Sequence, residues 1–378
     1  MSDVAEARER RAAAVAGCER VLMYGERHSL RERLARLAEE AEESYDLDGP
    51  PDMYGNGVVA EVERRVAELL GTPDAAFFPT GTMAQQVALR AWAGRTGNST
   101  VALHPLAHPE MHERGAFRAV SGLRPVHPTT ERRLPTAEEV RDFEEPFGAL
   151  MLELPLRDAG FVLPSWDELT DTVAAARERD AVVHFDGARL WECTPHFGRP
   201  LPEIAALADS VYVSFYKSLG GISGAALAAA DDVVAEAKAW RHRYGGMLFQ
   251  QFPAALAALS GLRTELPRLP SYVEHAKVVA RALRDGLAEA GAVWPHLFPA
   301  EPHTHQFQLW LPYPADVLNE AATLQAEQTP AALFGRGTFH EPAVPGLSML
   351  EVTVSAAALE WTAADVKDAA AEFVARLP

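Results

Sequence analysis

The chain has 378 residues, enough for one large domain and a smaller companion around a sizeable core. Its 48% apolar content excludes a disordered chain. Its formal charge of −18 argues against nucleic acid and anionic membranes as partners, because both recruit basic surface. The acidic balance reads as a solvated face that keeps the protein soluble. Cys18 and Cys193 are the only cysteines, too few for a disulfide framework, so a reducing cytoplasm is expected. Met1–Arg20 has no apolar leader core, and no run of about 18 apolar residues occurs, so neither a signal peptide nor a membrane-spanning helix is expected.

The first 50 residues predict one or two helices, the clearer from His28 to Ser44, ending at the Gly49-Pro-Pro51 break. Val58 to Leu70 repeats apolar residues at helical spacing and stops at Gly71. Strand-like Ala75–Phe78 leads into a helix from Thr82 to Ala93. Short apolar runs follow at Ser99–Leu103 and Ala149–Leu154. An amphipathic helix spans Trp166 to Arg179, and strands are expected at Ala181–Phe185, Val211–Phe215 and Ala225–Ala229. Helices alternating with all-apolar strands imply an α/β fold with a mostly parallel sheet covered on both faces. After about residue 250 the pattern changes. Helices are expected at Phe252–Thr264, Ser271–Ala290, Ala315–Glu327 and Thr362–Leu377, with strands at Gln306–Leu311 and Leu350–Val354. The expected division is an N-terminal helical segment (1–50), a large domain (51–250) and a small C-terminal α+β domain (251–378).

Two strand ends carry the chemistry. Asp186 closes Ala181-Val-Val-His-Phe-Asp186, and Lys217 follows Ser210-Val-Tyr-Val-Ser-Phe-Tyr216 with Ser-Leu-Gly-Gly behind it. Of the four lysines, Lys217 alone directly follows a strand-like run. A lysine able to form an imine, with a carboxylate on a neighbouring strand to hold a protonated pyridine nitrogen, is what pyridoxal 5′-phosphate (PLP) requires. Ligands of open α/β sheets lie at the carboxyl ends of strands. Phe77-Phe-Pro-Thr-Gly-Thr-Met83 runs from a strand into a helix, so Gly81, Thr82 and the Met83 amide are the candidate phosphate cradle, with Thr82 doubling as helix N-cap. Ser214 and Ser218 flank the lysine as phosphate contacts or as ordinary turn hydroxyls. His108 is placed to stack on the cofactor ring and to move protons. The spacing of His104, His108 and His112 suggests a metal face, but Pro105 and Pro109 interrupt that helix, so no metal is expected. His303 and His305 form a loop pair open to a substrate role.

These strings together resemble the low-specificity threonine aldolase / β-eliminating lyase family. They are Tyr54-Gly, Glu61–Gly71, Phe78–Thr82, Ala107-His108, His184-Phe-Asp-Gly-Ala-Arg-Leu190 and Ser214–Gly221. The resemblance covers about residues 50 to 265 and implies the fold-type I PLP enzyme architecture of aspartate aminotransferase. It implies that His108 stacks on PLP, Asp186 pairs with the ring nitrogen, Arg189 lies near the 3-oxygen and the substrate, and Lys217 binds the cofactor covalently. It further implies a homodimer or homotetramer with shared active sites, and an amino-acid substrate, with Tyr54 among its candidate contacts. The implied reaction is Cα–Cβ cleavage of a β-hydroxy-α-amino acid to an aldehyde and glycine or a related amino acid.

Three positions depart from that family. Tyr24–Ser29 stands where the family has an Arg-Ser-Asp-Thr segment. Gly245-Gly-Met-Leu-Phe-Gln-Gln251 lacks the family's arginine after the methionine. Met349–Ser355 lacks the arginine that grips the substrate carboxylate. Arg336 is either a replacement guanidinium or a solvated loop residue. The same lysine–aspartate pair would also serve β-elimination, transamination or racemisation, so these stay open as alternatives.

Overall fold

A computed structural model describes residues 2–23, 29–335, 337–342 and 344–378. The chain forms two compact units, Met1–Arg27 with Pro270–Pro378, and His28–Leu269.

The larger unit contains helices α1 (Leu30–Glu42), α2 (Val58–Leu70) and α3 (Gly81–Thr96), the short α4 (His108–His112), α5 (Trp166–Arg177), α6 (Asp231–Arg243) and α7 (Phe252–Thr264). Its strands are β1 (Asp74–Phe78), β2 (Thr100–Ala102), β3 (Arg124–Val126), β4 (Ala149–Glu153), β5 (Val182–Gly187), β6 (Ser210–Ser214) and β7 (Ala225–Ala229). They form one seven-stranded sheet in the order β1-β7-β6-β5-β4-β2-β3. Only the pairings of β7 with β1 and β6 are antiparallel. The mostly parallel sheet follows from its sequence, since β4, β6 and β7 are buried at every position, as strands covered on both faces must be. α2 buries Val58, Val59, Val62, Val66 and Leu70 along one face and ends on Gly71 at φ 67°. Glu63 on the same helix accepts the Phe77 N–H (2.8 Å) and pairs with buried Arg241 of α6 (2.9 Å), which fixes the end of β1.

The smaller unit has a three-stranded antiparallel sheet with Gln306–Leu311 in the middle, between His296–Phe298 and Ser348–Thr353. Leu283, Phe307, Phe334 and Phe373 are part of its core.

The units divide differently from the expected boundaries at 50 and 250. Helix Ser2–Gly17 belongs with the C-terminal unit, because Arg10 pairs with Glu320 (2.9 Å) and Glu327 (2.7 Å), and Arg20–Val21 pairs in parallel with Ala331–Ala332. Helix α7 belongs with the larger unit, where it packs on α1 and α2. Such long-range pairings leave no mark in local periodicity. Several elements were not anticipated, among them β3 and α6. β3 is a three-residue edge strand containing Pro125, a residue tolerated only at edges. In α6 one buried position is taken by Arg241, which weakens its apolar stripe.

Candidate active site

Glu153, Asp186 and Tyr212 are lateral partners on β4, β5 and β6, so their side chains leave the same face of the sheet near the strands' carboxyl ends. His184, two residues before Asp186, shares that face. Its Nε2 donates to Gln85 Oε1 of α3 (2.6 Å), and its Nδ1 accepts from the Ser210 hydroxyl (2.8 Å). Burial holds His184 down to about 3, so it is a neutral strut between sheet and helix. α3 therefore covers this face, and its first residue is pressed against the strand ends. A Cβ on Gly81 would collide with the Tyr212 hydroxyl, so glycine is required there.

Asp186 is 1% exposed and accepts the Ala188 N–H (3.2 Å). No cation pairs with it among the described residues, and burial raises its pKa. A buried carboxylate of this kind is completed by a cationic ligand, and a protonated pyridine nitrogen is one. Lys217 follows β6, half-buried, with its Nζ 5.1 Å from the centre of the Tyr216 ring. Burial lowers its pKa first, and the guanidinium groups of Arg189 and Arg157 push the same way. The amine is thereby biased toward its neutral, nucleophilic form. Donor set, helix start and lysine together fit PLP.

His108 opens α4. Its N–H donates to Glu153 Oε2 (2.7 Å), and the Arg157 N–H donates to Glu153 Oε1 (3.2 Å). One buried carboxylate beside Asp186 thus holds both backbones. Burial, and the neighbouring Asp186 charge, raise its pKa. Arg157 begins the turn between the bridge partners Leu156 and Val162. Phe161 in that turn lies under the Arg189 guanidinium, 5.4 Å from ring centre to Cζ.

Other expected residues have structural partners. Thr80, in extended geometry, is the N-cap of α3 and its hydroxyl accepts the Met83 N–H (3.2 Å). This corrects the expectation that Thr82 caps the helix, since the helix begins one residue earlier, at Gly81. The Met83 amide expected in the cradle already has that partner. The Ser214 hydroxyl donates to the Ala188 carbonyl (3.0 Å), and the Ser214 carbonyl accepts the Trp191 indole N–H (2.9 Å), so Ser214 pins the turn that carries Arg189. Ser218 donates to buried Glu192. Tyr54 is exposed and packs edge-on against Phe249 (5.4 Å). His104 contacts the Glu131 carbonyl (2.6 Å) and accepts the Leu106 N–H (3.0 Å). His305 donates from Nδ1 to the Val354 carbonyl (2.5 Å) within the smaller unit. Arg336 and the Tyr24–His28 stretch lie outside the described residues. Sequence reading missed Glu153, Arg157, Phe161 and Glu113. Glu153 had a visible signal, an acid closing the otherwise apolar run Ala149-Leu-Met-Leu.

The sheet topology with this lysine–carboxylate site defines the fold-type I class of PLP-dependent enzymes. The chain belongs to the beta-eliminating lyase family, whose profile matches residues 28–308. It is 30% identical over 248 residues to the low specificity L-threonine aldolase of Escherichia coli O157:H7, an alignment covering 64% of this chain and 72% of that protein. Two solved structures are similar over almost the whole chain. One is a Listeria monocytogenes protein proposed to be an L-allo-threonine aldolase (33% identity, TM-score 0.88, 98% of this chain and 100% of that one). The other is an Exiguobacterium protein proposed to be an aromatic amino acid beta-eliminating lyase/threonine aldolase (31% identity, TM-score 0.86, 97% and 100%).

Proposed function

We propose that this protein is a PLP-dependent lyase that cleaves the Cα–Cβ bond of a β-hydroxy-α-amino acid of the threonine type, releasing an aldehyde and glycine. The observation that carries this is the meeting of Lys217, Asp186 and His108 at the strand ends, in a chain so similar to threonine aldolases. When bound, PLP supplies a ring that accepts the electron pair of the breaking bond. Asp186 offers its uncompensated charge to the ring nitrogen. Lys217 offers a neutral amine. Gly81 and Thr82 at the start of α3 present N–H groups to a phosphate. His108, or Lys217 acting through a water, removes the proton of the β-hydroxyl. Arg189, joined by Arg157, orients the substrate carboxylate, and that orientation sets which bond lies perpendicular to the ring. The similarity to threonine aldolases favours this cleavage over elimination, transamination or racemisation.

A cytoplasmic homo-oligomer completes the proposal. Cys18 and Cys193 are unpaired thiols, and no described helix is long and apolar enough to cross a membrane. Leu34, Leu47 and Phe252 rim an apolar cavity of about 520 Å³, and exposed Met53, Tyr54 and Phe249 lie close by in sequence. A second copy covering this face accounts for that exposure.

The test is direct. Protein loaded with PLP should show a visible band that borohydride abolishes, and should release acetaldehyde and glycine from threonine or allo-threonine. A keto acid with ammonia, or amine transfer to an acceptor, would overturn the assignment.

A further inference from the structure

Glu113 is a carboxylate with 2% of its side chain exposed, and it stands at the C-cap of the helix that His108 opens. Its Oε1 lies 3.4 Å from His108 Nδ1. Its Oε2 accepts from Gln86 Nε2 of α3 (3.4 Å). The Gln86 amide is oriented from behind, because its Oε1 accepts the Ser121 hydroxyl (2.5 Å), and Ser121 lies 3.5 Å from the Tyr244 hydroxyl. With the amide oxygen committed, only the NH₂ group of Gln86 can face Glu113. Glu113 is therefore held as an acceptor toward Gln86 and, through its other oxygen, toward the imidazole. The neighbouring His112 is engaged elsewhere, 2.7 Å from Asp158. His108 and Glu113 both lie near enough to Asp186 to act on its ionisation, in opposite directions, so the pair stands at the reacting end of the site.

An acceptor at Nδ1 decides which imidazole nitrogen carries the proton. A neutral imidazole donating from Nδ1 has its lone pair on Nε2. In water the opposite tautomer prevails, so the carboxylate selects the less common form, as the buried acid of a catalytic triad does. We propose that Glu113 is a positioning residue that fixes His108 as the Nδ1–H tautomer, leaving Nε2 as the base that faces the substrate, with the Gln86–Ser121–Tyr244 chain holding the carboxylate in place. What Nε2 then does rests on the aldolase assignment. The tautomer is a property of the protein alone.

The experiment is two-bond ¹H–¹⁵N correlation on histidine-labelled holoenzyme, with His108 assigned by its loss in His108→Asn. The expected pattern is a neutral Nδ1–H ring at His108. In Glu113→Gln the new amide oxygen takes the Gln86 NH₂, so its own NH₂ faces His108 and the tautomer reverses to Nε2–H. The kcat for aldehyde release should then fall about tenfold to hundredfold, with KM changed by no more than about twofold and the PLP band retained. An Nε2–H ring in the wild-type enzyme overturns the proposal, whether or not the variant folds. A Glu113→Gln enzyme with unchanged kcat overturns the positioning role. A wild-type Nδ1–H ring in a protein that releases no aldehyde leaves the tautomer standing and removes the aldolase assignment.

Discussion

The two walls of the site are built differently. The cofactor wall consists of β-strand ends and the start of α3. Its strand groups are buried and fixed by sheet register, with Asp186 between Glu153 and Tyr212. The substrate wall consists of the short helix α4 and the Leu156–Val162 turn. Its substrate-facing side chains, His108 and Arg157, are part-exposed, and each backbone N–H is held by one hydrogen bond to Glu153. A frame made by register tolerates little change, whereas a frame made by turns can be altered one contact at a time. Cofactor chemistry should therefore fail abruptly on mutation, and substrate recognition gradually.

The largest expected effect is at Lys217. Lys217→Ala should abolish the borohydride-sensitive band and lower aldehyde release on the order of a thousandfold or more. A variant that keeps the band would break the comparison at its root, because the covalent attachment would then lie elsewhere.

Next comes Asp186→Asn, where activity and stability should move in opposite directions. Without cofactor, burial raises the folded-state pKa of Asp186 above its unfolded value. The native chain then holds the proton more tightly than the unfolded chain. Stability from this group falls as pH rises through the carboxylate range to the raised value, and stays low above it. Asparagine keeps an oxygen for the Ala188 N–H and removes the charge. The cofactor-free variant should be about 1–3 kcal/mol more stable than wild type at pH 8, and the gap should close in acid. His184 has the opposite pH slope, but it is common to both proteins and cancels in the difference. The holoenzyme should lose activity by about a hundredfold or more, because the ring nitrogen loses its counter-charge. Denaturant titrations at pH 5 and pH 8 check the first half, and turnover the second. Equal apo stability at pH 8 would mean that Asp186 is not held as an uncompensated charge.

Arg157→Ala should act on the gradual side. A charge-assisted contact to the substrate carboxylate is worth about 1.5–3 kcal/mol, so KM should rise tenfold or more with the PLP band intact. Loss of the band with KM unchanged would move Arg157 to the cofactor wall.

The same contrast explains what could be read from the sequence. The cofactor wall was readable because its signals are local strings, His184–Leu190 and Phe215–Gly221, each closing an apolar run. The fold class was readable for the same reason, since the strands and helices declare themselves by period. The substrate wall was not, because Glu153 and Arg157 meet His108 and Lys217 only after distant segments pair, and Glu113, at the end of the short helix that His108 opens, sits among polar residues with no periodic signal. The reach of the N-terminal helix to Glu320 and Glu327 is hidden in the same way. At the start of α3 the sequence offered two threonines two residues apart, and only backbone geometry distinguishes their tasks.

Those two threonines give the smallest effect. Thr80 is the cap, its hydroxyl accepting the Met83 N–H, whereas the Thr82 hydroxyl makes no hydrogen bond among the described residues. Thr80→Ala should cost about 1 kcal/mol of stability without cofactor, and Thr82→Ala less than about 0.5 kcal/mol. If Thr82 faces the phosphate, its replacement should instead weaken PLP affinity about tenfold, measured by titrating the apo protein and following the visible band. A Thr82→Ala protein as unstable as Thr80→Ala would show that the cap is shared. Unchanged PLP affinity would remove the Thr82 hydroxyl from the cradle and leave the backbone N–H groups of α3 as the anion site.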